Sequence, residues 1–570
     1  MKKMRSIALA TLSVLVMGNA LGMATGCDSS QGRAVDHSKT QFHIGNFDGG
    51  YGHAWIEQAA KLFEERYAEV HFEEDKTGVQ IWISNAKEEY SSYQFYETIA
   101  GLPQDFFVAP IPRDEIIEHN LLISLNDILD ESMEEFGEDK TIREKLSDYY
   151  KEEFLFDELA VVTTTGTDEN GKPIKSWSAG EKLYYLPTAE AFFGNIVYDV
   201  DLFETKGYYI SKDGTWTKGA NKSVGMDGVE GTYDDGLPTT EDEFFALLDY
   251  IAGVGGDIPL TWAGRYPAYM NAFVFNLFLN YDDGVSQKLY NTLDGEYLFP
   301  GDDEPTVFNG YNFYDAQRLP GRLAALKATE KLIDSVDYEY YSNEAFYETQ
   351  TQTEAQDEFL LSAEMESRIA MLIEGAWWES EATDTFSLMS NRYNSKYSKK
   401  NRKLGVMPAF RVNGSTGTKT NFITSNQALF INGNTDNVEL AKFFMKFLLS
   451  DEIRELFTSV TGVPSPYDYE LSTETYNNLS YFGKNLWEIH ENKDGMFNNV
   501  TENRTSKAYK ADHSNFPQSF EIEMGALKTT CPFRSFYFDK LSAEAYYNGI
   551  IAYANSQYDK YYASKYGARK

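Results

Sequence analysis

Residues 373–382 read IEGAWWESEA, inside the run AMLIEGAWWESEA that begins at Ala370. Ala370, Met371, Leu372 and Ile373 form an apolar run of strand length. Gly375 breaks it, and the adjacent indoles of Trp377 and Trp378 follow before the charge returns. A buried strand that ends by offering tryptophans at a turn builds the wall of a pocket. Two indoles can equally plug a core, and this window alone leaves both readings open.

Upstream, QFHIGNFDGGYG at 41–52 runs into HAWIEQAAKLFEERYAEVHF. This predicts a strand, a loop with glycines at 45, 49, 50 and 52, and an amphipathic helix with Ala54, Ile56, Ala59, Ala60, Phe63 and Tyr67 on one face. The loop lies at the C-terminal end of its strand, where open α/β sheets bind ligands, so Asn46, Asp48 and Tyr51 are candidate contacts. Ordinary turn chemistry is the alternative for all three. TGVQIWIS (77–84) and LPQDFFVAP (102–110) are further strands. In IPLTWAGRYPAYMNAFVFNLFLNY (258–281), Trp262 follows a short strand, and Tyr266 and Tyr269 stand near the start of an apolar helix. Gly264 and Pro267 hold that segment in a loop, where an exposed indole is a liability unless it is used.

The order of these pieces carries more than any one of them. An apolar strand ending in Gly-Ala-Trp-Trp is followed by GVMPAF (405–410), then by ELAKFFMKFLLSDEIRELF and TGVPSP. This order resembles the extracellular solute-binding proteins of ABC sugar importers, the group that includes maltose-binding protein. The resemblance spans roughly 40–466 well and 467–570 loosely, and leaves Trp487 and the Tyr-rich stretch 546–562 unassigned. It implies an α/β, two-lobed, periplasmic-binding-protein-like fold of type II. The first lobe would be 40–186 with 421–463 and the second 187–420 with 464–570, joined by extended crossovers near Pro187, TNFITSNQALFI (420–431) and TGVPSP. It further implies a non-enzyme that captures a carbohydrate, an oligosaccharide, between closing lobes and hands it to a membrane permease, as a monomer without a cofactor. Trp377 matches the family position at which an indole stacks on the sugar, with Trp378, Trp262 and Tyr266 as further platforms. Asn46, Asp48 and Tyr51 would bond the rim, and Glu190, Phe192 and Phe193 would sit near the cleft mouth.

The ends and the composition fit an exported protein. Lys2, Lys3 and Arg5 precede an apolar, small-residue segment from Ile7 to Leu21, too short for a stable bilayer anchor and with the anatomy of a signal peptide. Ala24-Thr25-Gly26-Cys27 resembles the site at which bacterial lipoproteins are cleaved and acylated. It implies a leader over 1–26, a lipid such as palmitate on Cys27, a polar tether over 27–40, and anchoring on the outer face of the cytoplasmic membrane. A formal charge of −37 repels phosphate backbones and argues against nucleic acid as a partner. The second of the two cysteines is Cys531, so with Cys27 lipidated no intrachain disulfide is expected.

Three motifs are weighed and set apart. Gly166 to Lys172 has P-loop spacing, but Pro173 stands where Ser or Thr must hold Mg²⁺, and the stretch reads as a hairpin turn. The acidic loop 227–238 lacks EF-hand spacing, leaving Asp227, Asp234 and Asp235 as a weak Ca²⁺ candidate with no other metal site expected. Thr240 and Glu243 are a capping box, Asn437 is a cap, and Gly462 is a helix stop. The rival reading is an exported glycoside hydrolase, which 88 Asp and Glu side chains cannot exclude. A third keeps the binding fold and changes the cargo to a peptide or another polar small molecule.

Overall fold

The computed structural model describes residues 33–112, 121–147, 161–167, 173–178, 183–292, 295–308, 312–335, 339–419, 421–423, 427–492, 496–498 and 531–557. Two mixed sheets organise it. Their strands are β1 (Thr40–Phe47), β2 (Val79–Ala86), β3 (Phe106–Pro110), β4 (Tyr185–Pro187), β5 (Phe193–Asp199), β6 (Ile258–Thr261), β7 (Ile369–Gly375), β8 (Leu404–Met407) and β9 (Gln427–Ile431).

The first sheet has the order β2-β1-β3-β9-β4, with β1 parallel to both neighbours and β9 antiparallel to both of its own. Gly45 is required in β1, because a Cβ there would come within 2.7 Å of the Phe107 ring. Helix Ala54–Arg66 lies over this sheet and buries Trp55, Ile56, Ala59, Ala60 and Phe63. Ala54, which the periodicity put on that face, is exposed, and Trp55 takes the inward direction instead. Helices Val438–Leu448 and Asp451–Thr461 return to the same layer, where Phe444 meets Phe42, Phe63 and Phe106 edge-on at 5.5, 5.0 and 5.5 Å. Asn437 does not cap the first of these helices. Its amide donates across the layer to the Gln41 carbonyl at 3.2 Å and to Asp105 at 3.1 Å, tying the helix start to the sheet. Gly462 does end the second helix, in the left-handed region at φ 78°.

The second sheet has the order β6-β7-β5-β8, with β6 parallel to β7, and β5 antiparallel to both β7 and β8. All seven residues of β7 are buried, as its unbroken apolar run requires of a strand covered on both faces. Helix Ala268–Leu279 has no polar stripe, and ten of its twelve residues are buried. Asp199 at the end of β5 caps helix Val200–Lys206 through the Leu202 amide and pairs with Arg368 and Arg402. The C-terminal residues that the sequence leaves unassigned join this side. Helices Pro532–Phe538 and Ala543–Gln557 pack on helix Pro320–Ile333, with Phe533, Phe536, Tyr546 and Ile550 buried. Trp487 sits in helix Tyr481–Glu491, which packs against β8, and meets Tyr469 edge-on at 5.3 Å.

The chain passes between the sheets three times: from β4 to β5, from β8 to β9, and from helix Asp451–Thr461 to helix Tyr481–Glu491. The passages bond to one another. Thr188 donates its amide to the Gln427 carbonyl at 3.0 Å, Glu190 donates its amide to the Pro464 carbonyl at 2.8 Å, and the Tyr467 hydroxyl donates to the Pro187 carbonyl at 3.0 Å. The buried Arg454 guanidinium completes the knot, donating to Leu448 O (2.6 Å), Thr188 O (3.1 Å) and Ser465 Oγ (3.0 Å). The architecture is therefore two α/β lobes joined by extended, mutually bonded connections.

The remaining motifs resolve locally. Strands Val161–Thr167 and Pro173–Ser178 pair antiparallel with Thr167 opposite Pro173, the hairpin expected in place of a P-loop, and its turn 168–172 lies outside the described residues. Thr240 and Glu243 form the expected capping box. In the acidic loop the carboxylates accept backbone amides: Asp234 from Met226 (2.7 Å) and Asp227 (3.1 Å), Asp235 from Gly231 (2.7 Å), and Asp227 from Val229 (2.7 Å). Among the described residues no group of three or more His, Cys, Asp or Glu could hold a metal ion, so the Ca²⁺ candidate is withdrawn: these carboxylates shape the loop. None of the described helices is long and apolar enough to cross a membrane. The leader and Cys27 lie outside the described residues.

Candidate functional site

Gly375 ends β7 at a bulge against β5, and the chain turns there into the short helix Trp378–Glu381, with Trp377 as the residue before it. Trp377 has a helical backbone (φ −80°, ψ −9°) rather than an extended one, yet the two indoles still diverge. Trp377 points between the lobes. On the second lobe its ring lies 5.3 Å from Phe193 and above Gly375, where a Cβ would come within 2.5 Å of the indole. From the first lobe, Tyr51 meets it edge-on at 6.4 Å, and Gly50, at φ 62°, lays its backbone on the indole. The left-handed backbone favours glycine at position 50, and a Cβ there would come within 3.3 Å of the indole. Trp377 is 7 % exposed.

Trp378 goes the other way. It has no exposure and packs among Phe359, Phe386 and Phe482, so it is a core residue of the second lobe and not a platform. Trp262 is likewise fully buried, among Tyr341, Phe346 and Phe533, because the C-terminal helix covers the turn that the sequence leaves open. Tyr266, four residues beyond Trp262, is 39 % exposed. Phe192 is buried against Phe482 at 6.1 Å and contributes its carbonyl, which accepts the Ala376 amide at 2.9 Å. Phe193, the neighbour of Phe192, is the one that reaches Trp377.

In the loop after β1, Asn46 is fully buried and donates to Asn85 at 3.0 Å. Asp48 pairs with His53 Nδ1 at 2.9 Å, and this bond holds the imidazole in its charged form above the usual histidine range. Tyr51 is buried on Phe457 at 5.6 Å as well as on Trp377, and burial pushes its phenol well up. Glu190 is not at an open mouth. It is buried in a hydrogen bond with His490 Nδ1 beside the third connection, with the His490 ring tilted against Trp487 at 4.9 Å.

Sequence reasoning missed a polar relay beside Trp377. Gln356 donates through one amide nitrogen to Glu374 at 2.9 Å and to Glu381 at 3.1 Å. Glu381 then crosses to the first lobe, accepting the Gly50 amide at 3.2 Å and pairing with Lys87 at 3.3 Å. Burial, reinforced by the nearby charge of Glu381, raises the Glu374 carboxyl well above the usual range. Tyr269 completes the wall, edge-on to Phe193 at 4.9 Å, its phenol also raised by burial and by both carboxylates. The sequence signal for the relay is Glu374 before Gly375 and Glu381 within WESE, the second of which reads there as returning surface charge. The arrangement offers an aromatic face with carboxylate, amide and ammonium groups beside it, and it offers them to both lobes at once.

No family model matches the chain, and no curated protein matches it. Solved structures do match. A chitin oligosaccharide binding protein shares 14% identity at a TM-score of 0.54, covering 91% of this chain and 99% of its own. The cyclic alpha-maltosyl-1,6-maltose binding protein from Arthrobacter globiformis shares 11% at 0.51, covering 92% and 100%. Apo RafE from Streptococcus pneumoniae shares 15% at 0.50, covering 92% and 100%. At such identities the likeness is one of fold, and it is the two-lobed fold that the order of sequence motifs implies.

Proposed function

We propose that this chain is the extracytoplasmic substrate-binding component of an ABC importer, capturing an oligosaccharide between its two lobes and presenting the closed form to a membrane permease. The observation that carries this reading is Trp377, an indole held at the lobe boundary by Phe193 and Gly375 on one side and approached by Gly50 and Tyr51 on the other. A pyranose has apolar C–H faces and a rim of hydroxyls, so a ring flanked by Glu381, Lys87 and Gln356 answers both halves of its chemistry. Structures of the same fold are described as binding chitin oligosaccharide, cyclic maltosyl-maltose and raffinose, which supports the same substrate class here.

The lobes we propose are 40–186 with 421–463, and 187–420 with 464–570. Support comes from sheet membership of the strands; 465–478 is the exception, since its bonds run to Lys145, Ser147 and Glu455 of the first lobe. Contacts that exist only when both lobes engage the ligand shift the population to the closed state. The finer claims rest on the sequence: removal of 1–26, lipid on Cys27, and a tether on the outer face of the cytoplasmic membrane. Replacing Cys27 by Ala should release the protein from the membrane fraction, and a variant that stays bound would refute the anchor.

Glu374 and Glu381 give the hydrolase reading a structural foothold among the described residues, two carboxyls bridged by one amide, the first of them raised by burial. Both are consumed by internal bonds to Gln356, the Gly375 amide, the Gly50 amide and Lys87, which supports binding over turnover. Incubation with oligosaccharides tests this directly: binding with full recovery of intact sugar supports transport, and cleavage products would overturn it.

A further inference from the structure

We infer that the second lobe carries a carbohydrate-contacting rim outside the Trp377 cleft, built from Tyr266, Tyr347 and the C-terminal Phe538, which takes the distal units of a chain longer than the cleft. The inference rests on the carbohydrate reading above and extends it to the length of the substrate.

These three side chains are 39 %, 52 % and 54 % exposed, and they come from segments far apart in sequence that interlock at one place. Phe346 stacks on Tyr537 at 3.9 Å and 11°, and Phe538 meets both rings, at 6.0 and 4.9 Å. Gly264 lies so close to the second segment that a Cβ would come within 2.6 Å of the Ala345 and Tyr347 carbonyls. Arg534 donates to the Gly264 carbonyl at 2.6 Å and pairs with Glu348 at 3.4 Å, and the Arg265 amide donates to the Gln350 carbonyl at 2.9 Å. The three segments are thus fixed to one another by backbone bonds and buried rings, so the backbone that carries the exposed rings is ordered before a ligand arrives.

Its position continues the site. The loop bearing Gly264 and Tyr266 follows β6, and Trp377 follows β7, its parallel neighbour, so both emerge at the same edge of the sheet. A succession of rings joins them: Trp377 to Phe193 at 5.3 Å, Phe193 to Tyr269 at 4.9 Å, and Tyr269 to Tyr266 one helical turn away, with an amide-to-carbonyl bond of 3.3 Å. The chemistry is that of a sugar-binding surface, with rings for the C–H faces and Arg265 and Glu348 beside them for hydroxyls. Separate exposed rings need no explanation, but exposed rings drawn to one place by three interlocking segments mark an interaction surface.

The test is calorimetric titration of the full protein with malto-, chito- and raffinose-type oligosaccharides of about two to about seven units, an affinity gain of about tenfold per 1.4 kcal/mol being readable. For the series that binds, the longest chain should bind at least about tenfold more tightly than the shortest in the native protein. The Tyr347→Ser/Phe538→Ser variant should lose that gain while keeping its affinity for the shortest chain and its melting temperature. Affinity that does not grow with length, or a variant that loses short and long chains equally, overturns the rim. A variant that binds every chain like the native protein but no longer supports uptake makes the surface a protein-docking face, which also overturns it. Failure of every series to bind at any length is a different result, and it removes the carbohydrate reading itself.

Discussion

Truncation of Trp377 to alanine separates a ligand platform from a core plug. An indole buries roughly 200 Å² when fully covered. At 7 % exposure nearly all of that is hidden here, worth at most about 5 kcal/mol at roughly 25 cal/mol per Å². Much of this cover comes from Gly50 and Tyr51 on the opposite lobe, so it belongs to lobe contact and not to the folding of either lobe. The loss of melting temperature should therefore be modest, and the loss should appear in binding. A stacked aromatic anchor costs on the order of 2 kcal/mol or more when truncated, which is about a 30-fold weaker Kd. Trp378→Ala is the control, because it empties a site among Phe359, Phe386 and Phe482 and should cost about 3 to 5 kcal/mol of stability while the folded fraction still binds. Calorimetry and thermal unfolding on both variants decide the matter. Unchanged sugar affinity in folded Trp377→Ala would refute the reasoning, as would a stability loss as large as that of Trp378→Ala.

Glu374 is raised by burial, so the folded state binds a proton that the unfolded chain gives up near the ordinary carboxylate range. Its stabilising share is complete below that range and is lost as pH rises through the folded value, so the melting temperature of Glu374→Gln should gain on that of the native protein from pH 5 to pH 8; parallel curves would count against the shift. Arg454→Met removes the donor shared by Leu448, Thr188 and Ser465 and should cost at least about 3 kcal/mol, read by denaturant unfolding, since buried carbonyls lose charged partners. Phe533→Ala uncovers Trp262 and should cost about 3 to 5 kcal/mol, and a near-neutral result would mean that the C-terminal helices do not belong to the second lobe's core.

What was legible in the sequence was whatever depends on local pattern. The strand 369–375, the βα unit at 40–66, the capping box at Thr240 and the stop at Gly462 each follow from periodicity or from one residue's backbone preference, and each stands where it was expected. Errors arose where a distant segment decides. Trp262 reads as an exposed turn indole until Phe533, some 270 residues on, covers it. Asn437 reads as a cap until its side-chain amide, donating to Asp105 and the Gln41 carbonyl, is turned to the sheet and its oxygen caps no helix N–H. Glu190 reads as a rim carboxylate until His490 claims it. In each case a polar or amphipathic residue had two satisfactory uses, and only tertiary placement chose between them.

The same logic explains why one of two adjacent indoles could be singled out while its surroundings could not. Trp377 and Trp378 differ only in direction, and that direction is set by the bulge at Gly375, which ends β7 and lets the chain turn into a helix. The turn sends Trp378 into the second lobe and leaves Trp377, with Glu381 one helical turn on, facing the first. Ring and carboxylate at this spacing share a face. The stretch that forms the platform therefore also supplies the group that reaches Gly50 and Lys87, and whatever opens the lobes must break that bond pair before the indole is free for a sugar. Glu381→Ala should accordingly raise the association rate for the ligand, measured by stopped-flow tryptophan fluorescence, while leaving the lobes folded. A slower or unchanged rate would show that these contacts do not hold the lobes together.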